Sequence, residues 1–210
     1  LKAALEAFQI DVSGLTAADI GASTGGFCDC KLQRGVKKIY AVDVGHDQLA
    51  PSIKSDPRVV SLEGINAKDL DKDLFGGKID LLTADLSFIS VTILFDKFRE
   101  VLKDGAEAVI LIKPQFEAGK NNIGKNGIVK DPKVHLSVLK TVSESAQKNG
   151  FSVRGLIPSP ITGGDGNIEF LIYLKRSGSQ LPDLDKTIKE VAEIAHHTGA
   201  KHREGKEDAK

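Results

Sequence analysis

The chain has neither methionine nor tryptophan, only two cysteines and two tyrosines, and aromatic residues fill just 5% of its 210 positions. So few aromatic rings speak against a surface of stacking platforms for single-stranded nucleic acid. Cys28 and Cys30 are too close for an ordinary structural disulfide, and on a helix they point to different sides. Four ligands at zinc-site spacing are absent, so no metal is expected, and reduced thiols fit a cytoplasmic protein. No apolar run approaches the roughly 20 residues of a membrane span. The opening Leu1–Phe8 reads as an amphipathic helix carrying Lys2 and Glu6 and not as a signal peptide, so no membrane partner is expected. An excess of either charge is missing too: 29 basic and 29 acidic residues cancel. A free-standing nucleic-acid binder is usually basic, so any such grip must be local or supplied by another module. No methionine opens the chain, and the expectation is a fragment with residues missing before Leu1.

With 40% hydrophobic and 28% charged residues, the chain reads as soluble and globular. Strands are predicted over Leu15–Ile20, Lys38–Val42, Arg58–Leu62, Ile79–Ala84, Ala106–Ile112, Phe151–Ile157 and Ile168–Leu174. Helical spacing falls over Gly25–Arg34 and Ile89–Leu102, and from Asp131-Pro132 to Asn149, where Gly150 stops it. Strands that alternate with helices make a doubly wound, Rossmann-like α/β sheet of seven strands. The last two strands are joined without a helix, which predicts a final antiparallel strand. Residues 1–178 form this domain. Residues 179–210 add a helix from Leu184 to Ala195 and a polar run, His202–Lys210, expected to fray.

Between the first strand and helix lies Asp19-Ile-Gly-Ala-Ser-Thr-Gly-Gly-Phe27. Gly21, Gly25 and Gly26 let backbone approach a ligand without a Cβ clash. The spacing is Gly-x-x-x-Gly-Gly, and no basic residue stands ready for a pyrophosphate. Both facts favour a phosphate-free nucleoside cofactor, S-adenosylmethionine, over a dinucleotide. Asp19, Ala22, Ser23, Thr24 and Phe27 complete the expected cofactor loop. Asp43, about 20 residues on at the end of the second strand, is placed to accept from both ribose hydroxyls, with Val44 beside it. Asn66 is a candidate for the adenosine edge and equally a turn asparagine.

Ligands of open α/β sheets sit beyond the carboxyl ends of the strands. Asp85-Leu-Ser-Phe88 follows the fourth strand and Lys113-Pro-Gln-Phe-Glu117 the fifth. A lysine directly after a long apolar strand is partly desolvated, and such an amine can steer or accept the proton of a hydroxyl nucleophile. Glu169 joins this rim if the last strand is antiparallel. Two glycine-rich loops, Glu117–Val129 and Pro158–Asn167, follow sheet strands. Lys120, Lys125, Lys130, Lys133 and Lys140 cluster from the first loop into the next helix and could meet phosphates. His135, His196 and His197 read as surface or packing residues.

Five blocks occur in order: Asp19–Phe27, Ala41-Val-Asp-Val-Gly45, Asp85-Leu-Ser-Phe-Ile-Ser90, Ile112-Lys-Pro-Gln-Phe-Glu-Ala-Gly119 and Gly166-Asn-Ile-Glu-Phe170. Together they resemble the TlyA (hemolysin A) family of FtsJ-like RNA methyltransferases over about residues 1 to 175. The resemblance implies S-adenosylmethionine as cofactor and ribose 2′-hydroxyls of ribosomal RNA or ribosomal subunits as acceptors. It also implies a Lys–Asp–Lys–Glu active site, of which Asp85, Lys113 and Glu169 match the last three members. The first lysine aligns immediately before Leu1, and Lys2 is one position off. The family's N-terminal S4-type RNA-binding domain has no counterpart here. Three other readings stand beside this one. Asp85-Leu-Ser-Phe88 loosely resembles the clamp of base amino-methyltransferases but lacks its prolines. The family name also raises a lytic, membrane-acting protein, and the fold could serve as a non-catalytic RNA-binding module.

Overall fold

Buried and exposed positions alternate along the strands, and that alternation sorts the core into two layers. The computed structural model describes residues 1–207, with the side chains of residues 121, 125 and 198–207 left outside the description. In chain order the elements are α1 (Lys2–Ala7), β1 (Thr16–Ile20), α2 (Gly26–Leu32), β2 (Lys38–Asp43), α3 (Pro51–Lys54), β3 (Val59–Glu63) and β4 (Ile79–Ala84). They continue with α4 (Phe95–Val101), β5 (Leu102–Ile112), α5 (Pro114–Glu117), α6 (Pro132–Lys148), β6 (Phe151–Pro158), β7 (Phe170–Arg176) and α7 (Leu184–Glu207). Seven strands form one sheet in the order β3-β2-β1-β4-β5-β7-β6. The first five run parallel, and β7 is antiparallel to both neighbours.

On β1 and β2, Ala18, Ile20, Tyr40 and Val42 face one layer with Phe95 and Phe98 of α4, Leu139 and Val142 of α6, and Ile188 of α7. Ala17, Ile39 and Ala41 face the other, with Leu5 of α1, Cys28 and Leu32 of α2, and Ile53 of α3. Period-two side-chain alternation under helices on both faces is what a doubly wound sheet requires.

The expected architecture and the antiparallel last strand are present, with several boundaries moved. The predicted helix Ile89–Leu102 is broken into a 3-10 turn over Val91–Ile93 and α4. Ser90 Oγ accepts from the Thr92 N–H there, so the helix cannot start earlier. Leu102 is fully buried and pairs with Ile79 as strand, lengthening β5 at its start. α7 continues past Ala195 to Glu207. Of the polar run expected to fray, residues 208–210 lie outside the described residues.

β7 decides the geometry of the site. Its first residue, Phe170, pairs with Ile112, the last of β5. Antiparallel pairing therefore brings the start of β7 to the edge where the parallel strands end. Glu169, one residue before β7, and Lys113, one residue after β5, become neighbours there.

Candidate functional site

The loop after β1 is shaped by close backbone approach. Gly21 has φ +79°, and a Cβ on it would collide with the Asp85 carbonyl oxygen. Only glycine lets the first loop lie against the start of the second. Gly21 N–H and Ala22 N–H both donate to the Val42 carbonyl, at 2.8 and 3.1 Å, which joins the loop to the end of β2. Gly25 has φ +95°, and a Cβ there would lie 2.9 Å from Leu49 Cδ1. Ser23 and Thr24 are exposed between these glycines, Ser23 with φ +47°, and Gly26 opens α2. Phe27 is half-buried.

Asp43 faces the same loop. Its Oδ2 accepts from Ser23 N–H and its Oδ1 from Gly45 N–H, both at 2.8 Å. Each carboxylate oxygen keeps acceptor capacity for a further donor. Ala22, Ser23, Asp43, Gly45 and Leu49 line a narrow cleft, and Val44 stands 66% exposed beside it. Asn66 spends its side-chain oxygen on capping, accepting from Lys68 N–H at 3.0 Å. The turn-asparagine role is the one its contacts show.

Asp19 requires a correction, because it lies in the core and not on the rim. Strand alternation puts it on the same face as Ala17, beneath α2, and its side chain is fully buried. Thr83 Oγ1 donates to it at 2.8 Å, Cys28 Sγ donates at 3.0 Å, and Lys31 Nζ lies 3.5 Å away. Lys31 is itself fully buried and also donates to Thr83 Oγ1. This ion pair sits under the loop and fastens α2 to β1 and β4. The sequence reading missed Lys31; its position three residues after Cys28 and one before Leu32 already put it on the inward face of α2. Burial raises the Cys28 thiol, and the neighbouring Asp19 adds to that rise, so this sulfur is an inert packing group.

Asp85, Lys113 and Glu169 converge on the carboxyl edge. Lys113 Nζ lies 2.6 Å from Asp85 Oδ1, off the hydrogen-bond direction, so the contact is an ion pair more than a directed bond. The same ammonium donates to Ser87 Oγ at 3.1 Å. Glu169 Oε1 accepts from Gln115 Nε2 at 3.4 Å. Burial pushes the Glu169 carboxyl above its usual range; Lys113 and Gln115 pull it down, and Asp85 pushes it up. Gly163 packs so closely that a Cβ on it would lie 2.6 Å from Glu169 Oε1.

The two glycine-rich loops are stapled by buried Asn167, which accepts from Val129 N–H at 3.0 Å and donates to the Gly127 carbonyl at 3.1 Å. Lys120, Lys130, Lys133 and Lys140 are exposed, Lys140 in the groove between α6 and the start of α7, and the Lys125 side chain lies outside the described residues. Phe88 departs from the aromatic-poor expectation. It is 90% exposed, has φ +65°, and its ring centroid is 5.0 Å from that of Phe116. His135 is fully buried, its Nδ1 2.8 Å from His196 Nε2 across α6 and α7. Burial lowers its pKa to about 4, helped by His196. Among the described residues, no helix is long and apolar enough to cross a membrane, and no three metal-ligating side chains cluster.

Comparison with known proteins bears on the family and the fold. A match to the FtsJ-like methyltransferase family spans residues 1–176. The 16S/23S rRNA (cytidine-2′-O)-methyltransferase TlyA of Mycobacterium tuberculosis is 43% identical over 175 residues, covering 83% of this chain and 65% of that protein. Hemolysin A of Brachyspira hyodysenteriae is 42% identical over 174 residues, covering 82% of this chain and 72% of that one. A solved structure of a protein described as a hemolysin from Streptococcus thermophilus superposes with a TM-score of 0.92 at 45% identity, over 97% of this chain and 74% of that one.

Proposed function

The chain belongs to the FtsJ-like methyltransferase family, and from that premise we propose that it methylates ribose 2′-hydroxyls of ribosomal RNA with S-adenosylmethionine as donor. The observation that carries the reading is the Lys113–Asp85 ion pair at 2.6 Å, with Glu169 beside it, on the rim that the Gly21 loop also reaches. The TlyA relative named above acts on such a ribose hydroxyl. A cytoplasmic location, beside ribosomal RNA, goes with this reading.

The residues present fit the cofactor. Gly26 has open space where a Cβ would stand, Asp43 offers carboxylate acceptors for ribose hydroxyls, and Ala22, Leu49 and Val44 offer apolar surface. When bound, S-adenosylmethionine supplies an activated methyl group on a sulfonium. The protein's own task is then mainly alignment of the nucleophile. Lys113 presents its donors to the attacking 2′-oxygen and lowers the cost of the charge that develops there. Asp85 holds Lys113 and the hydroxyl in place. Glu169 orients the amine from the other side, and Gly163 leaves it room.

RNA meets the exposed lysines of the 119–133 segment through its phosphates, which makes binding salt-dependent. Phe88 offers an exposed ring on which a base can stack, beside the catalytic pair. The deciding experiment incubates the full-length protein with labelled S-adenosylmethionine and ribosomal subunits or ribosomal RNA, then digests the RNA and identifies nucleosides by mass. A 2′-O-methyl ribose is expected. A methylated base would move the assignment to the amino-methyltransferase reading.

A further inference from the structure

Glu117 bridges the two loops that carry the catalytic pair. Asp85 leaves β4 into a segment ending at Ser90, and Lys113 leaves β5 into α5, which ends at Glu117. Glu117 Oε2 accepts from Ser90 Oγ at 2.5 Å, and its Oε1 accepts from Val91 N–H at 2.8 Å. Both carboxylate oxygens are thus committed to the opposite loop. The Phe88–Phe116 ring contact ties the same two segments a second time. Burial raises the Glu117 carboxyl above its usual range, against the two bonds from Ser90 and Val91. A buried carboxylate is costly unless it is hydrogen-bonded, and here the bonds exist only while the two loops keep their register.

We propose that Glu117 is a positioning residue for methyl transfer: by clamping residues 85–91 to residues 113–117 it sets the 2.6 Å approach of Lys113 to Asp85. The inference rests on the reading of the preceding section. Its physical ground is that an in-line displacement tolerates little misplacement, and an error of about 1 Å costs about 100-fold in rate. Neither residue of the catalytic pair touches Glu117 through a hydrogen bond; the effect travels four or five residues along each loop.

The test compares Glu117→Ala, Glu117→Gln and Ser90→Ala in the full-length protein, well below each melting temperature. Glu117→Ala is expected to lower kcat about 100-fold while the KM for S-adenosylmethionine stays within about twofold. Glu117→Gln should restore most of the rate. Its amide oxygen can accept from Val91, and its NH₂ can donate to Ser90 Oγ, whose own proton then turns to Thr92 Oγ1 at 2.7 Å. Ser90→Ala removes one of the two bonds and should fall between, about tenfold down, which keeps the test available if Glu117→Ala does not fold. Wild-type kcat in Glu117→Ala, or Glu117→Gln as slow as Glu117→Ala, would overturn the inference. If the wild type itself transfers no methyl to ribosomal RNA, it is the preceding reading that fails. Amide exchange then judges the bridge alone: Glu117→Ala must speed exchange around Val91 and leave β4 unchanged, and unchanged exchange at Val91 refutes it.

Discussion

Replacing Lys31 by methionine should unfold this protein much more easily than a one-residue change on a helix surface would. Lys31 and Asp19 are both 0% exposed, with Nζ 3.5 Å from Oδ1. Methionine keeps most of the aliphatic volume, so the cavity contribution is small. What remains is a buried carboxylate without its counter-charge, and breaking a buried pair from one side costs about 3–5 kcal/mol. Asp19 keeps the Thr83 hydroxyl at 2.8 Å and the Cys28 thiol at 3.0 Å, which points to the lower end, about 3 kcal/mol. For a domain of this size each kcal/mol moves Tm by about 2–4 °C, so a fall of about 6–12 °C is expected. Urea unfolding should show the midpoint falling with the m-value unchanged. The double variant Lys31→Met/Asp19→Asn, which removes the orphaned charge, should recover part of the loss. A single variant within about 1 kcal/mol of wild type would refute the reasoning, because it would show that the Asp19–Lys31 contact is not a buried pair of opposite charges.

Asp43→Ala should weaken S-adenosylmethionine binding about 10- to 100-fold by calorimetry, the worth of charge-assisted hydrogen bonds, with the far-UV circular dichroism unchanged. Lys113→Ala should lower methyl transfer at least about 100-fold while the cofactor Kd holds within about twofold; full activity in the full-length variant would sink the assignment. Glu169 tests linkage. Its folded-state pKa lies above the ordinary 4.5, so the stability tied to its neutral form is complete below pH 4.5 and is lost as pH rises through the raised value. Glu169→Gln, neutral at every pH, should therefore be more stable than wild type to urea at pH 7, with the gap closing towards pH 4.5, and should be slower in methyl transfer.

Much of the fold was legible because its signals are local. Ile79–Ala84 is a strand with the predicted bounds, and Asp131-Pro132 starts α6 with the aspartate accepting from Lys133 N–H at 2.8 Å. The Ile89–Leu102 segment was misread because its apolar residues satisfy helical spacing throughout. The cap at Ser90 and the pairing of Leu102 with Ile79 end that helix, and pairing is invisible to periodicity. In the site, Gly21 was read as a residue that lets a ligand approach. The structure adds that the Asp85 carbonyl occupies the space of its missing Cβ. Asp19 looked like a rim acid because it ends the strand near the glycines. Strand alternation turns it inward with Ala17, beneath α2, where Lys31 pairs with it.

By itself, the order of residues determined the alternation of strands and helices, the glycine turn after β1, and the chemical kinds of groups at the strand ends. Those follow from backbone sterics and burial periodicity, which act over a few residues. Which strand ends meet was decided only in three dimensions. Antiparallel β7 sets Glu169 beside Lys113, 56 positions away in the sequence, and the ion pair at 2.6 Å then joins Lys113 to Asp85. Glu117 and Lys31 belong to that second category as well. Hydrogen bonds and ion pairs between distant segments depend on register and on burial from water, and neither quantity exists until the sheet has closed over its two layers of helices.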